Sequence, residues 1–400
     1  MYTLFHSFFI GIILFLISRY FRGPFPKWSL YLAAIVKLLS GIILGYIFFT
    51  YQNGGDTLHY FNEVSELSSS LSSISQYLVE LTQGLPWFYG EGRTNLFIKI
   101  VTPLAIFTGQ NYWLTGMYLS LLSFLAFWFL TRTLATNFPE YRWVAYYSFC
   151  LFPSVVFWSS GLLKEPVINS FLAISAAMIL KIDRSKKFNY PTTGILLIMM
   201  VLIFLLKYYI IPALMAGIGW WVLSKFQLKL RTRLVVFFGF VILGFCSLQF
   251  LHPWLTPERL PQTIHENYLD IANRTDDSFT GIIIDPSYSS LAKNSLKGTI
   301  TGLYRPFVWE EGSLFNWEYK LENITLLLLT LISLIHIKSV RWHSLATSVL
   351  IYSIILSLTI TFTTPNFGTL FRYKSTFLPY FVFVVSVIPF KKYISQATGN

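Results

Sequence analysis

Apolar residues run in long stretches along this chain, separated by short corners rich in charge, glycine and aromatic rings. Stretches near twenty residues are the length at which a helix crosses a hydrocarbon core. They predict spanning helices at 2–18, 30–50, 112–131, 142–158, 162–180, 192–206, 209–224, 234–251, 323–337, 344–362 and 374–390. Residues 95–108 are also apolar, but Lys99, Pro103 and the short length point to a half-buried or re-entrant segment. The expected fold is all-α, a polytopic transmembrane bundle of about 11 spans forming one membrane domain over 1–400.

Two connections are long, 51–111 and 252–322. Within the first, Leu71, Ile74, Leu78, Leu81 and Leu85 recur at helical spacing among serines and Glu80. Within the second, Tyr288, Leu291, Leu296, Ile300 and Leu303 share a side, with Lys293 and Lys297 on another. Both patterns predict amphipathic helices suited to a membrane interface.

Composition agrees with a membrane chain. It is 54% hydrophobic and 12% charged, too apolar for a soluble protein of 400 residues. The net charge of +12 reads as topology rather than as a footprint for nucleic acid. Counting spans alternately, the inside loops hold 17 of the 30 basic residues but, of the 18 acids, only Glu140 and Asp183. The long connections then become outer loops and the C-terminus cytoplasmic. Run 2–18 is expected to be a retained helix with its start outside, because Arg19, Arg22 and Lys27 follow it and no small-residue cleavage site appears. Lys37, inside run 30–50, can snorkel inward and receives no role. Cys150 and Cys246 both fall in apolar runs and read as small core residues, with no metal-ligand spacing.

The polar features that need a reason all fall on the outer side: NGGDTLHY (53–60), GEGRTN (90–95), WSSGLLKEP (158–166), KYY (207–209), YRPFVWEEG (304–312) and NFGTLFRYK (366–374). In one bundle they would line a single outward cavity. Each has a plainer reading. Gly54 and Gly55 can end a helix and Asp56 can cap the one starting at Thr57. Lys164, Lys207, Arg305, Arg372 and Lys374 can anchor helix ends at headgroups, Glu165 before Pro166 can open a helix, and His59 is a lone histidine. As a set, however, five cations lie where the positive-inside rule disfavours them. Arg and Lys suit phosphate oxygens, and a nearby carboxylate suits acid–base chemistry. The site candidates are Asp56 as catalytic residue, with His59, Arg93, Lys164, Glu165, Lys207, Arg305, Glu310, Arg372 and Lys374 binding substrate. No metal ligands stand out.

FPSVVFWSSGLLKEP, YRPFVWE and NFGTLFRYK, with an acid just after an early helix and two long outer loops, resemble the GT-C superfamily and related surface-polysaccharide polymerases. These are integral-membrane glycosyltransferases that use polyprenyl-phosphate-linked sugars. The resemblance implies that Asp56 is the catalytic base and that Lys164, Lys207, Arg305 and Arg372 bind the carrier phosphate. It also implies a polyprenyl-phosphate-linked donor, a saccharide or lipid-linked acceptor, and action at the outer face of a bacterial inner membrane. No cofactor is required by this chemistry, and a divalent metal beside Asp56 has no support in the residues. The alternatives are a transporter or flippase of lipid-linked saccharide and a non-catalytic polysaccharide assembly component.

The topology is testable by cysteine labelling in a background freed of Cys150 and Cys246. Cysteines placed at Ser72 and Ser289 should react with an impermeant reagent from outside; reaction only from the cytoplasmic side would reverse the orientation.

Overall fold

The computed structural model describes residues 2–51, 55–82, 92–185, 189–247, 256–273, 280–310, 317–335 and 344–397, with the backbone alone over 388–397. Gly54 and Leu85, used in the sequence reading, lie outside the described residues. Among the described residues the chain is helical without strands, and 7 helices are long and apolar enough to cross a membrane. The chain divides into two compact units, Met1–Tyr208 and Tyr209–Asn400.

The first unit contains α1 (Tyr2–Tyr20), α2 (Lys27–Thr50), α3 (Asp56–Ser70), α4 (Ile74–Thr82), α5 (Gly92–Phe107), α6 (Tyr112–Asn137), α7 (Arg142–Tyr146), α8 (Pro153–Trp158), α9 (Lys164–Arg184) and α10 (Tyr190–Lys207). Helix α6 is its core, packed against α2, α5 and α9. Leu119, Phe124, Phe127, Trp128 and Leu130 are buried along it. Helix α3 lies on α5 through Tyr60, whose ring meets Phe97 edge-on at 5.2 Å. The segment 95–108, expected to be half-buried or re-entrant, lies in the continuous helix α5 up to Phe107, with Leu96, Phe97, Ile98 and Val101 buried.

The expected span 142–158 is not one helix. Helix α7 passes into a π-helical turn (Tyr147–Leu151), and α8 starts afresh at Pro153. Proline lacks an N–H and disfavours helical backbone in the residue before it, and Phe152 is accordingly extended. A second interruption, Ser159–Leu163, separates α8 from α9 in the interior of the unit. Its polar groups find partners locally. Ser160 Oγ donates to the Val156 carbonyl at 2.6 Å, and Gly161 N–H to Ser120 Oγ at 2.8 Å. Lys37 does not snorkel: it is 3% exposed, and its ammonium donates to Ser159 Oγ and, at 3.4 Å, to the Val156 carbonyl. Cys150 is buried nearby, whereas Cys246 is exposed and not a core residue.

The second unit contains α11 (Ile210–Leu223), α12 (Leu230–Ser247), α13 (Leu260–Asn273), α14 (Tyr288–Tyr304), α15 (Trp317–Ile335), α16 (Ser344–Thr363), α17 (Phe367–Lys374) and α18 (Leu378–Ala397). Helix α16 is its centre and packs against α11, α13, α14, α17 and α18. Gly298 and Gly302 bring α14 close to α16, so close that a Cβ at Gly302 would stand 2.5 Å from the Ser357 carbonyl oxygen. This is the small-residue packing used where helices associate in lipid. Tyr268, Ile282, Ile284 and Phe362 form a compact core beneath α13. Helix α12 buries only Phe237. The amphipathic pattern expected around 288–303 is α14; that around 71–85 is the shorter α4, whose Ile74, Leu78 and Val79 are exposed.

Of the expected spans, α11 and the apolar part of α18 are shorter than a full crossing, and α15 carries Glu318, Lys320 and Glu322 in its first turns.

The break before α9 depends on Gly161, whose φ of +73° is disfavoured for side-chain-bearing residues and whose Cβ would meet Leu44 Cδ2 at 3.0 Å. Gly161→Ala should therefore cost about 1–3 kcal/mol. Gly239→Ala, with open space around the new methyl, should not destabilise. Thermal unfolding of both variants in detergent checks this, and equal midpoints would show that the break tolerates a side chain.

Candidate functional site

The described parts of NGGDTLHY, GEGRTN and WSSGLLKEP, with Lys207 and Tyr208, fall in the first unit, and those of YRPFVWEEG and NFGTLFRYK in the second. In the first unit three helix starts meet. Helix α3 begins at Asp56 after Gly55, whose φ of 87° and ψ of −179° are essentially open only to glycine. Asp56 is thus the first residue of the helix rather than its cap, and no side-chain cap bond forms there. Its carboxylate lies at the positive end of the helix dipole. Helix α5 brings Arg93 in its first turn, and α9 begins with Lys164 and Glu165. Lys207 arrives from the opposite sense, at the end of α10.

These side chains interact. The Lys164 ammonium donates to Thr94 Oγ1 at 2.7 Å and lies 4.8 Å from the centre of the Tyr60 ring. It lies within electrostatic range of Glu165, Lys207, Asp56 and Arg93. The Arg93 guanidinium stacks 4.8 Å from the Tyr208 ring. Lys207 and Glu165 form a buried ion pair at 2.7 Å, their side chains 6% and 2% exposed. Neighbouring helices meanwhile hold the frame: Thr57 and Tyr112 hydroxyls are bonded at 2.8 Å between α3 and α6. His59 is set apart, on an exposed face of α3, where its partner is Glu63 at 3.1 Å.

In the second unit YRPFVWE and NFGTLFRYK come together. Arg305 grips both oxygens of Glu310, Nε to Oε1 at 2.6 Å and Nη2 to Oε2 at 3.0 Å, while Nη1 donates to the Thr280 carbonyl. The same guanidinium lies 5.3 Å from the Phe367 ring of α17. Lys374 is buried and donates to the Leu303 carbonyl at 2.9 Å and to Asn323 Oδ1 at 3.0 Å. Arg372 lies over the neighbouring Tyr373 ring at 5.2 Å. Burial pushes the Tyr268 phenol above its ordinary pKa, opposed by its bonds to Thr280 and Ile282 and by the charge of Arg305. Arg305 and Lys374 are therefore tied into their own unit, one by a carboxylate fork and one by carbonyl oxygens.

The structure thus brings together Asp56, Arg93, Lys164, Glu165 and Lys207 in one group. Arg305, Glu310, Arg372 and Lys374 belong to the other unit. Tyr60, Thr94 and Tyr208, which brace the first group, went unassigned in the sequence although each lies in or beside a corner quoted for it. Ser and Thr hydroxyls and tyrosine rings are too common near helix ends to stand out there. Among the described residues no three His, Cys, Asp or Glu side chains gather as a metal site would require. No family model matches the chain, and neither a curated protein nor a solved structure matches it.

Two charges hidden from water in one contact are costly to separate, and removing one partner of such a pair typically costs about 3–5 kcal/mol. Glu165→Gln and Lys207→Met should each destabilise on that scale, and the double variant by less than the sum of the two. A double-mutant cycle on unfolding in detergent measures this; strict additivity would mean the pair is not coupled.

Proposed function

We propose that the chain is a membrane glycosyltransferase or polysaccharide polymerase that moves a sugar from a polyprenyl-phosphate-linked donor to an acceptor at the outer face of a bacterial inner membrane. The observation that carries this reading is the meeting of Asp56, Arg93 and Lys164 at three converging helix starts. Helix N-termini favour anions through their free N–H groups and dipoles. Arg93 and Lys164 add full charges, so a phosphate is the natural ligand class. Glu165 neutralises Lys207, which leaves Arg93 and Lys164 as the cations offered to it.

In the proposed reaction an acceptor hydroxyl attacks the anomeric carbon of the donor sugar. Asp56 takes the hydroxyl proton as the new carbon–oxygen bond forms. The bond from the anomeric carbon to the phosphate oxygen breaks, and Arg93 and Lys164 stabilise the growing charge on the leaving lipid phosphate. The residues require no nucleotide and no cofactor. The acceptor is a saccharide, free or lipid-linked, and the lipid carrier reaches the site from the bilayer.

A second reading, transport of lipid-linked saccharide, is favoured by Lys37 and the break before α9. Buried ionisable groups and interrupted helices within spanning segments are features of transporters.

One experiment separates them, with purified protein in proteoliposomes supplied with undecaprenyl-phosphate-linked sugar and acceptor. Under the proposed function Asp56→Asn should cut transfer by about 100-fold or more, Lys164→Met should weaken donor binding, and Lys37→Met should leave residual transfer proportional to folded protein. Wild-type transfer by Asp56→Asn would refute the mechanism. Facilitated translocation without transfer, lost in Lys37→Met, would establish the second reading.

A further inference from the structure

The second unit presents an aromatic side chain that none of these roles uses. Trp309 is 74% exposed, and its ring lies nearly parallel to that of Phe307, 14° apart with centroids 4.7 Å distant. The short segment that carries both rings is fastened at Arg305, Pro306, Phe307 and Glu310. Arg305 and Glu310 close it with their two-pronged ion pair, and Glu310 N–H donates to the Phe307 carbonyl at 3.1 Å. Asn323 donates to the Pro306 carbonyl at 3.2 Å, and the Lys320 ammonium to the Glu310 carbonyl. A loop held at so many points does not expose an indole through slackness. So large an exposed apolar ring leaves area that a partner would cover.

The surroundings select the partner. Trp309 backs onto Phe307, so one broad face of its ring is left to pack against something flat. The segment that carries it is closed by a carboxylate and a guanidinium, side chains 20% and 19% exposed, which already neutralise each other. Lipid tails would meet those charges at a penalty, and an anionic group would gain little from a neutralised pair. A neutral sugar ring fits both features: its axial C–H face packs on the indole while its hydroxyls reach polar groups at the edge.

We infer that Phe307 and Trp309 form a stacking platform for a neutral saccharide unit, with Arg305 and Glu310 at its polar edge. This deepens the proposed function by giving the second unit a glycan-binding role, and it rests on that reading only for the natural source of the saccharide.

The test is binding rather than turnover, using the full chain in detergent on an array of neutral microbial oligosaccharides. A subset should bind. Trp309→Ala should weaken that binding about tenfold, the scale of losing one aromatic stack with its buried area. Trp309→Phe should restore most of it. Gly239→Ala, whose new methyl meets only open space, should bind like the unmodified chain. Because binding is read without turnover, a failure of the transfer mechanism would not disturb this result. Absence of binding to every neutral oligosaccharide, or equal binding by Trp309→Ala, would overturn the inference. So would strong quenching, by brominated lipids in proteoliposomes, of a fluorophore attached through Trp309→Cys, since the ring would then be a headgroup anchor.

Discussion

A helix that stops inside a protein leaves carbonyl and N–H groups that must find partners on the spot. The stop between α8 and α9 is the point on which the first unit depends. Ser159 and Ser160 turn their hydroxyls back onto the Val155 and Val156 carbonyls, Lys37 adds its ammonium, and Ser120 receives the Gly161 N–H. With these bonds made, the chain can restart as a helix at Lys164 with its first turn beside α3 and α5. Had α8 simply continued, Lys164 and Glu165 would fall at another height and azimuth, away from Thr94 and Tyr60. The position of the charged group is thus set by the way a buried interruption is satisfied several residues earlier.

The cations of this chain differ in what holds them, and that difference separates structure from chemistry. Lys37, Lys207 and Lys374 are each about 2–5% exposed and end on oxygen atoms of their own unit. Arg305 spends its fork on Glu310. A charge so enclosed stabilises a particular packing and is poorly placed to meet a ligand. Lys164 and Arg93 are instead steadied by aromatic rings, which hold a cation without neutralising it.

Much of this was legible in the sequence. Helix α14 follows the spacing of Tyr288, Leu291, Leu296, Ile300 and Leu303, and the corner at Gly55 announces itself by a glycine that the backbone requires. Pro153 carried the sign that 142–158 would break, but an apolar run hides it, because hydropathy measures burial and not continuity. Lys37 was misread for a related reason. Snorkelling is the usual fate of a lysine in an apolar helix, and the Ser159 hydroxyl and Val156 carbonyl that receive it stand more than a hundred residues away in sequence. Which side chains touch within each unit was beyond reach for the same cause: pairing between distant segments is a property of packing, as Lys164 with Thr94 and Lys374 with Asn323 show.

The placement of Lys164 and Arg93 runs against the local preference of their helices. The first turn of a helix favours acids, since its free N–H groups carry partial positive charge, and α3 follows that rule with Asp56. Helices α5 and α9 carry a cation in their first turn, α9 with Glu165 beside it. For helix stability alone either residue would be better as aspartate or serine. The cost is met by bracing: a tyrosine ring beneath each cation and a threonine hydroxyl on Lys164. Departures from local rules that are braced in this way are expected where function, rather than folding, chooses the residue. An anion seated among these helix starts would remove the conflict, because N-termini and cations would then attract the same group.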